Sequence, residues 1–149
     1  MILLTGATGY IGSHTWVELI SKGYQVIGVD NLSNSSPMVL DRIKRLTHTE
    51  PRFHEIDVCN PNLNEIFKQY KIEAVIHFAA LKAVGQSVSE PLNYYQNNLI
   101  GLMNLLKLSL SHGVHQFVFS SSATVYHPEN PIPYKEEMTL GSSSPYGWS

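Results

Sequence analysis

Apolar and polar residues alternate in blocks along the chain, and the blocks predict strands separated by helices. Apolar runs predict strands at residues 2–4, 25–30, 74–79 and 116–119, and the mixed segment 52–56 is predicted as a short further strand, the third in chain order. Apolar residues at helical spacing predict helices after Gly12, over Pro37–Leu46, over residues 63–70 and, as one long helix, from Pro91 to Gly113. Buried strands that alternate with helices are typical of a parallel sheet covered on both faces. With right-handed crossovers, the sequence predicts a doubly wound α/β fold with strand order 3-2-1-4-5.

Three glycines follow the first predicted strand directly. Gly6, Gly9 and Gly12 have GxxGxxG spacing and lead into a helix whose apolar stripe is formed by Ile11, Val17, Leu19 and Ile20. Gly23 is placed to end that helix. A tight turn before a helix N-terminus presents free N–H groups and the positive end of the helix dipole, which attract phosphate. The glycines allow the turn and let a dinucleotide approach the backbone closely.

An acid follows the second predicted strand. Asp30 ends the run Gln25–Asp30, at the position from which a carboxylate binds the ribose hydroxyls of a dinucleotide. The alternative is that Asp30 only caps a loop. The glycine pattern, the strand, the helix and the acid together predict dinucleotide binding. Asp30 favours NAD over NADP, because a 2′-phosphate would face a like charge.

The composition excludes several classes of protein. The 149 residues contain 43% hydrophobic residues and carry a net charge of −2, so neither disorder nor a nucleic-acid interface is expected. No apolar run reaches the length of a membrane span, and the N-terminus lacks the pattern of a signal peptide. The single cysteine, Cys59, fits a reducing compartment, and we expect a cytoplasmic location. The histidines have no metal-ligand spacing, so no metal site is predicted.

Five candidate ligand-binding segments lie at the carboxyl ends of the predicted strands. They are residues 6–12, Asp30, Asp57, residues 78–82 and residues 120–122. Ligands of doubly wound sheets bind outside the carboxyl ends of the strands. The sequence therefore predicts that these five segments meet at one edge of the sheet.

Several of these segments carry a resemblance to a known family. They are Gly6–His14, Val29–Leu32, His77–Gly85, Tyr94–Asn98, Phe119–Tyr126 and Ser144–Gly147. The whole chain resembles the N-terminal part of the extended short-chain dehydrogenase/reductase family, and within it the branch that epimerises nucleotide sugars. The resemblance implies a Rossmann-like fold, NAD as cofactor, and epimerisation at C4 of a UDP-hexose, which interconverts UDP-glucose and UDP-galactose.

The resemblance also implies roles for single residues. The pyrophosphate would lie along the glycine turn, Tyr10 and Ile11. The adenosine ribose and phosphate would be held by Asp30, Asn31, Asn34 and Ser35, and the adenine by Asp57 and Val58. The nicotinamide half would meet Phe78, Ala79, Ala80, Lys82 and Asn97. Taken one at a time, Asp57 could be a helix cap, Lys82 a solvated surface charge and Asn97 an ordinary helix-surface residue. His14 and His77 are expected to be structural.

The same resemblance assigns the chemistry to Ser122 and Tyr146. NAD⁺ would remove a hydride from C4 while Tyr146 takes the hydroxyl proton, and the hydride would return to the other face. A tyrosine that takes a proton must be stabilised as the anion, which a nearby cation can do. The family supplies a lysine four residues later, at position 150, and the chain ends at Ser149. Ser122 alone could be a polar strand exit.

Length and two further local departures from the family pattern shape the expected activity. His127 stands where the family usually has glycine, and Trp148 where a polar residue is common. Family members are about twice this long, and their second half supplies the uridine diphosphate pocket. We therefore expect an incomplete NAD-binding domain over residues 1–149, without turnover of its own and with a weakened family homodimer. The function that the resemblance implies is C4 epimerisation of a UDP-hexose, and its alternatives are a non-catalytic NAD-binding fragment of such an epimerase and, less favoured because no acidic pair follows Ser122, a nucleotide-sugar 4,6-dehydratase.

Overall fold

The computed structural model describes all 149 residues and contains one five-stranded parallel sheet. Its strands are β1 (Ile2–Thr5), β2 (Val26–Asp30), β3 (Arg52–Glu55), β4 (Ala74–His77) and β5 (Gln116–Phe119). The spatial order is β3-β2-β1-β4-β5, which confirms the predicted order. Leu3 in the central strand β1 pairs with Ile27 on one side and Val75 on the other. The predicted doubly wound sheet is therefore present, with β1 at its centre.

The helices are short, and most were predicted. They are α1 (Tyr10–Ser21), α2 (Met38–Thr47), α3 (Leu63–Gln69), α4 (Val84–Ser89), α5 (Pro91–Tyr95), α6 (Gly101–Ser111) and α7 (Pro145–Trp148). Gly23 ends α1 at a positive φ of 84°. The Gly23 and Tyr24 N–H groups donate to the Ile20 and Leu19 carbonyls at 2.9 and 3.0 Å, which is the Schellman arrangement.

The prediction of one long helix over Pro91–Gly113 was wrong. A π-helical segment, Gln96–Ile100, separates α5 from α6. The cause is the pair Asn97-Asn98, because the Asn98 side chain bonds to the backbone of Leu81 rather than facing solvent. The helices α4 and α7, and a 3₁₀ turn over Ala123–Val125, were not predicted. Each of these is too short to carry a hydrophobic period.

The predicted apolar stripe of α1 also needs correction. Ile11 is half exposed, and the fully buried side chain of this helix is Trp16. The Trp16 ring lies over Gly28 of β2, where a Cβ would overlap it. Val17, Leu19 and Ile20 are only partly buried against the same cluster. A glycine in the facing strand thus makes room for the large ring.

The chain forms two compact units. The first comprises residues 1–79 and 101–120 and contains the sheet, and the second comprises residues 80–100 and 121–149. In the first unit, successive residues of β1 point to opposite faces: Leu3 belongs to one apolar cluster and Leu4 to the other. Burial on both faces explains why Ile2, Leu3 and Leu4 of β1 form a continuous apolar run. None of the helices has both the length and the apolar character needed to span a membrane.

Candidate functional site

The glycine turn between β1 and α1 leaves no room for side chains. Gly6 has a φ of +64°, and a Cβ on it would lie 2.7 Å from the Ala79 nitrogen. A Cβ on Gly12 would overlap the Gly6 carbonyl oxygen. The Gly9 N–H donates to that same carbonyl at 3.2 Å, which closes the turn. The left-handed backbone and the close packing therefore require glycine at position 6, and the close packing alone requires it at position 12.

The N-terminus of α1 is open. Its N-cap is Gly9, and no side chain caps the helix. In an α-helix the first N–H groups have no partner within the helix, which leaves the amides of Tyr10, Ile11 and Gly12 available. The side chains of Tyr10 and Ile11 are 79% and 52% exposed. A 12-residue helix with an uncapped N-terminus beside a glycine turn is suited to hold a pyrophosphate.

The Asp30 carboxylate joins this turn to the loop after β2. It accepts hydrogen bonds from the Thr8 N–H at 3.1 Å and the Leu32 N–H at 2.9 Å. The Ser35 hydroxyl donates to it at 3.2 Å and lies 2.7 Å from the Thr8 hydroxyl. Asp30 does therefore cap its loop, and Leu32 is held at a φ of +57°. Since a carboxylate has about four lone-pair sites, three internal bonds leave capacity for a ribose hydroxyl.

Asp57, after β3, is tied to the same region. It accepts from the Asn31 amide at 2.8 Å and from the Cys59 N–H at 2.7 Å. Partial burial raises the pKa of the Asp57 carboxyl, but the bonds from Cys59 and Asn31 outweigh burial and lower the pKa overall. Burial, followed by the nearby Asp57 charge, raises the pKa of the Cys59 thiol to about 11. Asp57 is thus an ionised loop acid and Cys59 a poor nucleophile.

Val58 and Asn34 differ in what they expose. The Val58 side chain is 6% exposed and packs in the core, where a Cβ on Gly101 would lie 2.7 Å from it. The Val58 carbonyl accepts a hydrogen bond from the Asn104 amide at 2.7 Å. Asn34 is fully on the surface. Only a small part of the Val58 surface is therefore accessible for the predicted contact with adenine.

A buried pair supports the end of β4, where Phe78 and Ala79 follow. The His77 ring nitrogen Nδ1 lies 2.6 Å from the Thr5 hydroxyl, and the Ala79 N–H donates to that hydroxyl at 3.3 Å. His77 is 3% exposed, and burial lowers its pKa to about 4. Its ring stacks on Phe119 with centroids 5.9 Å apart. The pair fixes the backbone at Ala79, which lies against Gly6.

In the second unit, the residues around Lys82 form a loop that side chains hold in place. Ala80 and Lys82 are exposed, and Asn97 is half-buried in the π-helical segment. Asn98 is 7% exposed and hydrogen-bonds to both the N–H and the carbonyl of Leu81, at 2.9 and 3.0 Å. Asn97 donates to Asn98 at 2.9 Å. The buried hub of this loop is therefore Asn98, which was not predicted as a site residue.

The two predicted catalytic residues also lie in the second unit. The Ser122 hydroxyl caps the 3₁₀ turn, accepting from the Thr124 N–H at 3.2 Å. Tyr146 lies in α7, which is capped by Ser144 and packs against the 3₁₀ turn. A Cβ on Gly147 would lie 2.7 Å from the Thr124 carbonyl oxygen. Ser122 and Tyr146 are both partly exposed.

Contacts in the first unit join four of the five segments that the sequence predicts at one edge. The glycine turn contacts Asp30 through Thr8, Asp30 is followed by Asn31, which bonds to Asp57, and Gly6 packs on Ala79. Sequence reasoning missed Thr8, Thr5 and the supporting role of His77. The sequence signal for these residues is weak, because a buried threonine in a strand or turn has no feature in the sequence that marks it as supporting a site. No group of three or more His, Cys, Asp or Glu side chains is arranged to hold a metal ion.

Comparison with known proteins gives a consistent picture. The sequence profile described as "NAD dependent epimerase/dehydratase family" matches residues 2–149. A UDP-glucose 4-epimerase of Bacillus subtilis is 50% identical over 147 residues, which is 98% of this chain and 43% of that protein. The chain thus spans less than half the length of the curated relatives it matches.

Solved structures show the same similarity. The UDP-glucose 4-epimerase of Bifidobacterium longum, in complex with NAD⁺ and UDP, has a TM-score of 0.96 at 44% identity, over 99% of this chain and 44% of that one. The UDP-glucose 4-epimerase of Thermotoga maritima, with UDP-glucose, has a TM-score of 0.88 at 37% identity, over 99% of this chain and 46% of that one.

Proposed function

Because the chain belongs to the NAD dependent epimerase/dehydratase family, we propose that residues 1–149 form the NAD-binding domain of a UDP-hexose 4-epimerase. The observation that carries this proposal is the open N-terminus of α1, joined to the Asp30 carboxylate through the Thr8 amide. A turn that presents free N–H groups beside a carboxylate fits a pyrophosphate followed by a ribose.

The residues of the first unit fit the adenosine and pyrophosphate part of NAD. The amides of Tyr10, Ile11 and Gly12 would bind the pyrophosphate. Asp30 would bind the ribose hydroxyls, with Asn31, Asn34 and Ser35 beside it in the chain. Asp57 and the exposed part of Val58 would meet the adenine. The negative charge of Asp30 would disfavour the 2′-phosphate of NADP.

The resemblance implies that the nicotinamide half would meet Phe78, Ala79, Ala80, Lys82 and Asn97. When bound, NAD⁺ supplies the hydride acceptor that allows inversion at C4. Lys82 brings a positive charge on an exposed side chain. Each of these roles follows from the resemblance. The role of Ala79 has additional support, because Ala79 packs against Gly6 of the glycine turn.

Ser122 and Tyr146 would handle the proton of the sugar. The Tyr146 phenol would take the proton of the C4 hydroxyl and later return it, while the Ser122 hydroxyl would bind the same oxygen. Ser122 and Tyr146 are both partly exposed, as contact with a substrate requires. The UDP-sugar would be held largely by the part of the longer relatives that has no counterpart in these 149 residues.

Two further expectations stay proposals. Exposed apolar side chains on α6 support a homodimer interface: Met103 is 51%, Leu106 39% and Leu110 71% exposed. Sedimentation velocity at micromolar concentrations would detect the dimer, which we expect to be weak. A cytoplasmic location is a prediction from the single cysteine.

A chimera tests the epimerase proposal. The matched residues of the Bacillus subtilis relative are replaced by this chain, and conversion of UDP-galactose to UDP-glucose is assayed. We expect turnover in the chimera, and a loss of about 100-fold or more in its Tyr146→Phe variant, since general-base catalysis typically contributes 10²–10⁴. Tyr134→Phe is the matched control and should retain activity.

Two results would contradict this proposal. One is a chimera that binds NAD without epimerising UDP-galactose, and the other is a Tyr146→Phe chimera with undiminished turnover. The same assay, with product analysis, would detect a 4-keto-6-deoxy sugar and so identify a dehydratase. The chain alone is assayed in parallel, and we expect it to bind NAD without appreciable turnover.

A further inference from the structure

A fully buried tyrosine holds the backbone directly after Lys82. Tyr94 of α5 is 0% exposed. Its hydroxyl accepts a hydrogen bond from the Ala83 N–H at 3.0 Å and donates to the Gln86 side-chain oxygen at 3.1 Å. The Tyr94 hydroxyl therefore both accepts and donates a hydrogen bond within this loop.

Asn98 holds the backbone on the other side of Lys82. It fixes the N–H and the carbonyl of Leu81 together, and its amide also donates to the Ser149 hydroxyl at 2.9 Å. Lys82 thus lies between two peptide groups that buried side chains hold, while its own side chain is exposed. This arrangement orders the backbone of the loop and leaves the ammonium group accessible.

Tyr94 also contacts the helix that carries Tyr146. The two rings meet edge to face, with centroids 6.4 Å apart and an interplanar angle of 74°. The π-helical segment begins at Gln96, just after Tyr94, and both Tyr94 and Asn98 are buried. Segments of π-helix frequently occur at functional sites.

We propose that Tyr94 is a positioning residue, which orders the Lys82 loop through its hydroxyl and seats the Tyr146 ring through its own ring. This inference rests on the proposed function, in which Lys82 meets the nicotinamide half of NAD and Tyr146 takes a proton. Tyr94 itself touches neither the cofactor nor the substrate. It acts through the Ala83 amide and the Tyr146 ring.

The two roles separate in the variant Tyr94→Phe. The ring is retained, so its packing and its contact with Tyr146 remain. The Ala83 N–H and the Gln86 side-chain oxygen then lose a partly buried hydrogen bond to the Tyr94 hydroxyl, and each such bond typically contributes about 1 kcal/mol. The loop around Lys82 is then expected to open more often, while the sheet of the first unit is unaffected.

Hydrogen–deuterium exchange of the chain measures the positioning directly. We expect the Ala83 amide to exchange about tenfold faster in Tyr94→Phe, since the loss of a hydrogen bond of about 1.4 kcal/mol corresponds to tenfold in an opening equilibrium. The amides of β1 should be unchanged. Tyr95→Phe is the matched control, because Tyr95 is adjacent but takes no part in this network. Equal exchange at Ala83 in the wild type and Tyr94→Phe would overturn the proposal.

Ligand binding separates positioning from general destabilisation. Isothermal titration with NAD and with ADP-ribose, which lacks the nicotinamide, is carried out on the wild type and on the variants Tyr94→Phe and Tyr95→Phe. We expect Tyr94→Phe to lower the affinity for NAD about fivefold and to leave the affinity for ADP-ribose unchanged. A matched loss for both ligands, or no loss for NAD, would overturn the positioning role. If the wild type binds neither ligand, the proposed function fails, and the Ala83 exchange still decides how Tyr94 acts on the loop.

Discussion

The two units of the chain hold their candidate residues in different ways. In the first unit, Asp30 is the last residue of β2, Ala79 comes shortly after β4, and the turn at Gly6 is packed backbone on backbone. In the second, Lys82 lies in a loop that the side chains of Tyr94 and Asn98 hold. Changes in the first unit are therefore expected to disturb the fold, whereas changes in the second should act locally.

The largest expected effect comes from filling the glycine turn. Gly12→Ala places a Cβ on the Gly6 carbonyl oxygen, and neither backbone can move without disturbing β1 and α1. We expect a loss of about 3 kcal/mol or more in the free energy of unfolding, measured in urea, because overpacking against backbone cannot relax.

Gly85→Ala in the second unit is the matched control. Gly85 lies in α4, and nothing is within 4 Å of a Cβ built on it. The replacement should stabilise the chain by roughly 0.5 kcal/mol, because alanine is the better helix former. If both variants changed stability by similar amounts, the contrast between the two units would be wrong.

A slightly smaller effect is expected from pH. Burial lowers the His77 pKa from its ordinary 6.5 to about 4, so the folded chain binds fewer protons than the unfolded chain between these values. Stability is therefore complete above pH 6.5 and is lost as the pH falls towards 4. The expected loss is about 3 kcal/mol, at 1.36 kcal/mol per pKa unit.

Two variants assign this pH dependence. His77→Asn removes the titrating ring, so its stability at neutral pH should be lower and its decline towards pH 4 shallower than in the wild type. His115→Gln removes an exposed histidine and should retain the wild-type dependence. An unchanged slope in His77→Asn would show that the acid sensitivity does not come from the pair with Thr5.

The same contrast explains what the sequence could predict. The strand order and the position of Asp30 follow from apolar runs and the glycine spacing, because a buried parallel sheet leaves a regular pattern in the sequence. The break of the predicted long helix at Gln96–Ile100 depends on one side chain, Asn98, bonding to a loop 17 residues earlier in the chain. Such a contact produces no periodic pattern of apolar residues in the sequence.

Single side chains show the same limit. Trp16 is buried because Gly28 in another strand makes room for its ring, and Ile11 is exposed although it fits the apolar stripe. His77 was correctly expected to be structural, but its partner Thr5 could be found only in three dimensions. Local pattern predicts which elements form, and non-local packing decides which of their residues support the site.

Calorimetric titration of the chain with NAD and with NADP shows whether the glycine turn and Asp30 hold NAD. We expect saturable NAD binding with one site per chain. The affinity for NADP should be lower by about tenfold or more, because the 2′-phosphate would face the Asp30 carboxylate. Failure to bind NAD, or equal affinity for the two cofactors, would contradict the account.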